Sequence, residues 1–183
     1  MIKIFFASMM MVYMFVSYAS AQLKSVEAIK EQSPVTYRIV HPLHEMIATS
    51  KEVLFKADID PAKKEIKNVS AQVDVTTFDS GNSNRDSHAM EVVDAITYPD
   101  VSFSSTNIVQ SSDSLSVTGK LTFHGVTKDI TMLGSSQWTT DSLNVQGKFD
   151  ITLSGFNLER PSLLMIPVKD TLYFTMKAAF LLH

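Results

Sequence analysis

The sequence contains no cysteine. That absence excludes disulfides, thiolate catalysis, cysteine-ligated zinc and iron–sulfur clusters. Glycine and proline are scarce, at six residues each in 183, which excludes collagen-like and low-complexity chains. Charged residues make up only 19%, and they nearly balance: 16 Lys and Arg against 19 Asp and Glu leave a net charge of −3. No basic block stands out, so no nucleic-acid partner is expected. A hydrophobic content of 45% is too high, and the charge too low, for a disordered chain. The length suits one domain with a targeting segment in front.

Signatures of catalysis are missing as well. No Gly-x-Ser-x-Gly elbow is present, since Ser154-Gly155 lacks the preceding glycine. Paired carboxylates, a P-loop and a dinucleotide fingerprint are also absent. His41-x-x-His44 lies at a strand end beside Pro42, and no third ligand stands at a defined spacing, so these histidines read as structural or solvated. His88 stands near Arg85, Asp86 and Glu91. That cluster reads as an ion-pair cap in preference to an acid–base group. For His124, a role in a turn beside Gly125 suffices. No catalytic residue, metal or cofactor is expected.

What is present begins with a transport segment. Residues 1–21 carry Lys3, an apolar run from Ile4 to Val16, and the small-x-small triplet Ala19-Ser20-Ala21. This is the form of a cleaved secretory signal peptide, the run being short of the ~20 residues that a spanning helix needs. Residues 22–34 are polar and read as a loose leader or a short helix. The domain is expected over 35–183, exported to a periplasm or secreted.

From there alternation with period two dominates, the mark of half-buried strands. Val53, Phe55, Ala57 and Ile59 form one apolar row, Ala71, Val73, Val75 and Thr77 another. The row Val101, Phe103, Ser105 is followed by Leu115, Val117, Gly119, Leu121, Phe123 and by Leu143, Val145, Gly147, Phe149, Ile151, Leu153. The last is Leu172, Phe174, Met176, Ala178, Phe180. Segments 35–41 and 128–138 are weaker. Short turns such as Phe123-His124-Gly125-Val126, with Gly125 at positive φ, make sequential strands antiparallel. One interruption reads as a helix: Ser83-x-x-Asp86 resembles a capping box, Ala89, Val93 and Ile96 recur at helical spacing, and Pro99 closes the segment. The fold expected is all-β, a lipocalin-like antiparallel β-barrel of about eight strands with one short helical insertion. Residues 155–168 break the alternation and read as a loop packed over one end of the core, or as a movable flap.

A barrel of this size is either filled by its own side chains or holds one small ligand. The small inward residues Gly119, Gly147, Ala71, Ala178 and Ser105 leave room, while Phe103, Phe123, Phe149 and Phe174 make the wall apolar. A hollow interior so lined favours a long apolar chain over a polar metabolite. The alternative is a packed core with small residues set opposite large ones, and spacing alone does not choose between them. The candidate ligand-binding set is Val73, Val75, Phe103, Leu121, Phe123, Phe149, Ile151, Phe174 and Met176.

Three blocks carry a resemblance. They are Thr77-Phe78-Asp79-Ser80-Gly81-Asn82-Ser83-Asn84-Arg85-Asp86-Ser87-His88, then Tyr98-Pro99-Asp100-Val101-Ser102-Phe103, then Gly119-Lys120-Leu121-Thr122-Phe123-His124-Gly125-Val126-Thr127-Lys128. In this order and at this spacing the chain resembles the YceI-like family. The resemblance implies a lipocalin-like barrel with a helical insertion, in an exported protein that binds a long isoprenoid or similar amphiphilic lipid in its interior. It implies a binding or transport protein and no enzyme, with Arg85, Asp86, His88 and the His124-Gly125 turn as motif positions. The chain departs from the family at Tyr37–Pro42 and at Leu153–Asn157. The expected partner is therefore an isoprenoid or other long-chain lipid, with transient membrane contact compatible with that role. The oligomeric state is left open. A packed barrel that binds another protein and, less favoured, a lipid-modifying enzyme using His88 are the alternatives.

Overall fold

A computed structural model describes residues 23–182. The expected signal peptide, residues 1–21, lies outside them. Strands run β1 Lys24–Glu27, β2 Val35–His41, β3 His44–Ser50, β4 Leu54–Asp60 and β5 Glu65–Asp74. Helix α1, Ser83–Val92, follows. Then come β6 Asp100–Ser111, β7 Ser114–Phe123, β8 Val126–Trp138, β9 Ser142–Thr152, the short pair β10 Ser162–Leu163 and β11 Ile166–Pro167, and β12 Thr171–Leu181.

Ten strands form one antiparallel sheet in the order β1-β4-β5-β6-β7-β8-β9-β12-β2-β3, and β10 pairs with β11 alone. The sheet is strongly curled. After β1 the chain reaches β12, where Ala28 bridges Phe180 and the Ile29 amide donates to the Ala179 carbonyl at 2.8 Å. The Ala179 amide in turn donates to the buried Ser33 hydroxyl at 3.1 Å. Thus β1 meets β12, the eighth strand in sheet order, and the apolar face is rolled inside, the solution available to a one-layer sheet. At the outer edge, the amides and carbonyls of Thr49 and Asp79 pair reciprocally, at 3.0 and 3.1 Å, which covers β3.

The lipocalin-like all-β fold is the one the alternation implied, with differences in detail. Segment 22–34 supplies β1 and a single 3-10 turn, Lys30–Gln32, where a loose leader or short helix was expected. Only Val26 of β1 is buried, so this strand carries too few apolar residues to show a pattern. Strand β5 ends at Asp74, and Val75–Thr77 form a 3-10 turn capped by the Asp74 side chain. The helix is shorter than its apolar spacing suggested. It begins at Asn82, whose side chain accepts from the Arg85 amide at 3.1 Å, in place of the Ser83 box. It ends at Val92, leaving Ile96 97% exposed outside the helix. Gly125 and His124 both take positive φ in the β7–β8 turn, as a two-residue hairpin of this type requires.

Two ends result. At one lie the turns 61–64, 112–113 and 139–141 together with the end of β12. At the other lie α1, the β2–β3 and β7–β8 turns, and an arm, residues 153–170, that joins β9 to β12. Among the described residues no helix is long and apolar enough to cross a membrane.

Candidate functional site

The barrel encloses a cavity of about 270 Å³. Its floor is the closed end, where Ile59, Val117 and Leu143 are fully buried and Leu115 and Phe180 nearly so. Its wall is the inward row of each strand. All nine residues of the sequence-derived set line it: Val73, Val75, Phe103, Leu121, Phe123, Phe149, Ile151, Phe174 and Met176. Their burial is uneven. Val73, Leu121, Phe123, Ile151 and Met176 are buried, whereas Val75, Phe103, Phe149 and Phe174 keep part of their surface open. The four phenylalanines therefore do not fill the interior. Phe149 and Phe174 stack at 4.8 Å across the β9–β12 pair.

The glycines serve a purpose other than the one expected. A Cβ on Gly119 would stand 2.5 Å from Cζ of Phe103, and one on Gly147 2.6 Å from Sδ of Met132. The space they vacate is taken by neighbouring side chains, so they permit close approach within the wall and do not themselves open the cavity. The room comes from the mouth, where α1 and the arm span the opening without plugging it.

At the mouth the lining turns polar. Ser80, Arg85, Asp86 and His88 border the cavity with Ala89 of α1 and Val93 just past its end. The Arg85 guanidinium donates to the Ser80 carbonyl (2.9 Å) and hydroxyl (3.3 Å), and the Ser80 amide donates to the Asp86 carboxylate at 3.2 Å. These bonds fix a cation and an anion side by side at the rim. His88 is more exposed, and its Nδ1 lies 3.6 Å from the Glu91 carboxylate. Tyr37 of β2 lies against Phe78 and Phe174, at 5.3 and 6.4 Å, and its phenol is held above its ordinary value near 10. Burial is the main cause; the Asp86 charge adds to it and Arg85 opposes it.

Tyr37, Phe78, Met46, Met132 and Val93 line the cavity and were not in the sequence-derived set. Tyr37 sits at the same parity as Val35 and Ile39, so the weak alternation of 35–41 could have found it. Phe78 sits in no periodic element and gave no signal.

The arm packs over one end of the core, the first of the two readings of its sequence. Leu153, Phe156, Leu158 and Val168 are buried with Ile39, Leu121, Phe123, Ile151 and Leu172, closing one side of the mouth end. Several polar ties hold it. His124 Nδ1 bonds the Phe156 carbonyl at 3.0 Å, with Tyr98 edge-on to the imidazole at 4.6 Å. Buried His41 accepts from the Leu43 amide at Nδ1, so Nε2 carries the proton it donates to the Ile166 carbonyl at 2.9 Å. The His41 and His44 rings lie 5.1 Å apart and tilted, and no group of three or more metal-ligating residues occurs among the described residues. The Asp170 carboxylate accepts from Ser154 Oγ and N, which holds its pKa below the usual carboxylate range; Arg160 adds a smaller effect in the same direction. Beyond these ties the tip, residues 162–167, projects as the β10–β11 hairpin.

A single-layer curled sheet around an apolar chamber, with a polar rim at one end, defines a lipocalin-like barrel. The YceI-like domain model matches residues 27–180, and the chain belongs to that family. A UPF0312 protein from Vibrio campbellii is 33% identical over 115 residues, covering 57% of this chain and 61% of that protein. Protein YceI of Escherichia coli O157:H7 is 26% identical over 134 residues, 68% of this chain and 70% of that one. The match thus spans somewhat less than two thirds of the Vibrio relative. Among solved structures, Burkholderia cenocepacia BcnA superposes with a TM-score of 0.75 at 22% identity, covering 83% of this chain and 98% of that one. A polyisoprenoid binding domain from Saccharophagus degradans, implicated in plant cell wall breakdown, gives 0.63 at 12% identity over 87% and 99%. At these identities the likeness establishes the fold.

Proposed function

We propose that the protein holds a long apolar chain, an isoprenoid or a similar amphiphilic lipid, inside the barrel for carriage or storage after export. The observation that carries this is the open chamber of about 270 Å³ with a mainly aliphatic and phenylalanine wall and the polar cluster of Ser80, Arg85, Asp86 and His88 at its mouth. Each buried methylene contributes roughly 0.8 kcal/mol, so ten bring about 8 kcal/mol before the cost of ordering the chain. Affinity of that size needs no polar contact deep inside. The rim then meets the head group: Arg85 suits an anionic or hydroxyl oxygen, and the neutral Tyr37 phenol can donate or accept. The nine wall residues named above are the proposed ligand-binding set. The polyisoprenoid-binding relative of the same fold supports this class of ligand. Binding is favoured over catalysis because the rim holds Asp86 and Arg85 in bonds to Ser80, and His88 is turned to Glu91.

Protein purified from its native host, extracted with organic solvent and examined by mass spectrometry, should release a stoichiometric long-chain lipid. Repeated recovery of none, with no uptake of an added isoprenoid, would end the proposal.

A further inference from the structure

The mouth end carries large apolar side chains that stay exposed among the described residues. Leu164 is 77% exposed and Met165 97%, with Leu163 and Ile166 beside them. These four form the tip of the β10–β11 hairpin, where Leu163 pairs with Ile166. Leu43, exposed at the β2–β3 turn, belongs to the same surface, since His41 bonds the Ile166 carbonyl and the Lys169 amide bonds the Val40 carbonyl. Pro161, at the base of the hairpin, lines the cavity. The apolar tip therefore stands at the opening of the chamber.

The tip is also costly in its backbone. Leu164 and Met165 take φ of 53° and 65°, the two positive-φ positions of a tight hairpin turn that asparagine and glycine fill best. Bulky apolar residues there gain nothing for the fold, being in solvent.

Charge is ordered around the tip. On each arm the first charged residue is a cation, Arg160 before Pro161 and Lys169 after Val168. The anions Glu159 and Asp170 come next outward, and the Asp170 carboxylate is occupied by Ser154. An apolar point above a cationic collar matches an anionic bilayer, with acyl chains beneath a phosphate layer. Two residues per arm plus the turn reach roughly 7–10 Å, comparable to the depth at which interfacial segments bury their apolar face. Four side chains on so short a finger fall short of the roughly 800 Å² per partner that a stable protein interface buries, which disfavours a second copy as the occupant.

We infer that the β10–β11 hairpin is a membrane-docking finger that inserts Leu164 and Met165 into an anionic bilayer, with Arg160 and Lys169 at headgroup level, and presents the cavity mouth to lipid. The purpose assigned to the finger rests on the proposed lipid-binding function; its test does not. Because the chain lacks cysteine, a single one can carry an environment-sensitive dye. The full-length chain is labelled with NBD as Leu164→Cys or, at the opposite end of the barrel, Ala62→Cys, and mixed with vesicles of phosphatidylcholine containing phosphatidylglycerol. Expected is a blue shift with enhanced emission at 164 and none at 62, weakened by salt. No change at 164, or equal changes at both sites, overturns the inference. So does a shift at 164 that grows with protein concentration without vesicles, which would mean self-association. With Leu164→Asn and Met165→Gly together, vesicle affinity of the remaining surface should fall about tenfold or more. This variant should still take up an isoprenoid supplied in detergent. Loss of uptake by the unsubstituted protein would instead remove the lipid-binding reading and leave the dye result standing.

Discussion

The two ends of the barrel are built from the same strands with the same alternation, yet one is a floor and the other a mouth. At the floor Ile59, Val117 and Leu143 have no accessible surface, and the connections are tight turns of a few residues. At the mouth the inward residues of the same rows, Phe103, Phe149 and Phe174, are only partly covered, and a helix and an 18-residue arm stand beside the tight β2–β3 and β7–β8 turns. The difference lies in what crosses the opening. Short turns let facing strands converge until their side chains touch. A helix and an arm hold the strands apart and cover the space from above. The floor is therefore fully packed, whereas the mouth end divides between the buried cluster under the arm and room for a ligand.

That division can be broken most sharply at the floor. Leu143→Ala should cost about 2–5 kcal/mol in urea unfolding, because it leaves a void that nothing can fill. Phe174→Ala should cost less than a fully buried phenylalanine would, since one face already borders the chamber, and should weaken lipid uptake. A small loss at 143 together with a large one at 174 would reverse the assignment. Next in size is a blockade of the mouth. Val75→Trp, on a partly exposed turn facing the cavity, should lower affinity for an isoprenoid probe about tenfold or more while moving stability by no more than roughly 1 kcal/mol. Unchanged uptake would place the ligand elsewhere.

A third prediction reverses the usual direction. Replacing Leu164 and Met165 by asparagine and glycine should stabilise the protein by about 1 kcal/mol, because the positive-φ turn is relieved and no burial is lost. A fall in melting temperature would show that the tip packs on the fold after all. The smallest effect concerns Tyr37. Its phenol is held above the ordinary value, so the neutral form is favoured in the folded state. That contribution is complete below about pH 10 and is lost as pH rises through the raised value. In an alkaline absorbance titration Tyr37 should ionise above the ordinary phenol range, and Tyr37→Phe should delete that late step.

The wall of the cavity was legible in the chain because a strand shows its buried face by parity alone. Phe103, Phe123, Phe149 and Phe174 declare themselves in this way. Parity does not record how far apart facing walls stand, which is why a packed and a hollow barrel read alike. Nor does it say what a glycine makes room for: Gly119 admits the ring of Phe103. Helical spacing overreached at Ile96, since the chain leaves the helix at Val92 and an apolar residue three or four positions on keeps the period by coincidence. Phe78 and the ties made by His41 and His124 are tertiary. Their partners lie 32 to 125 residues away for the histidines, and no local pattern encodes them.

Trp138, the single tryptophan, packs against the floor cluster and can report on the chamber directly. Titration with a fluorescent polyene chain should give saturable energy transfer from Trp138 at one chain per protein, displaced by an isoprenoid alcohol and weakened in Val75→Phe, which narrows the mouth without adding a second tryptophan. Transfer that never saturates, or that is indifferent to the narrowed mouth, would contradict the account of a ligand held inside the barrel.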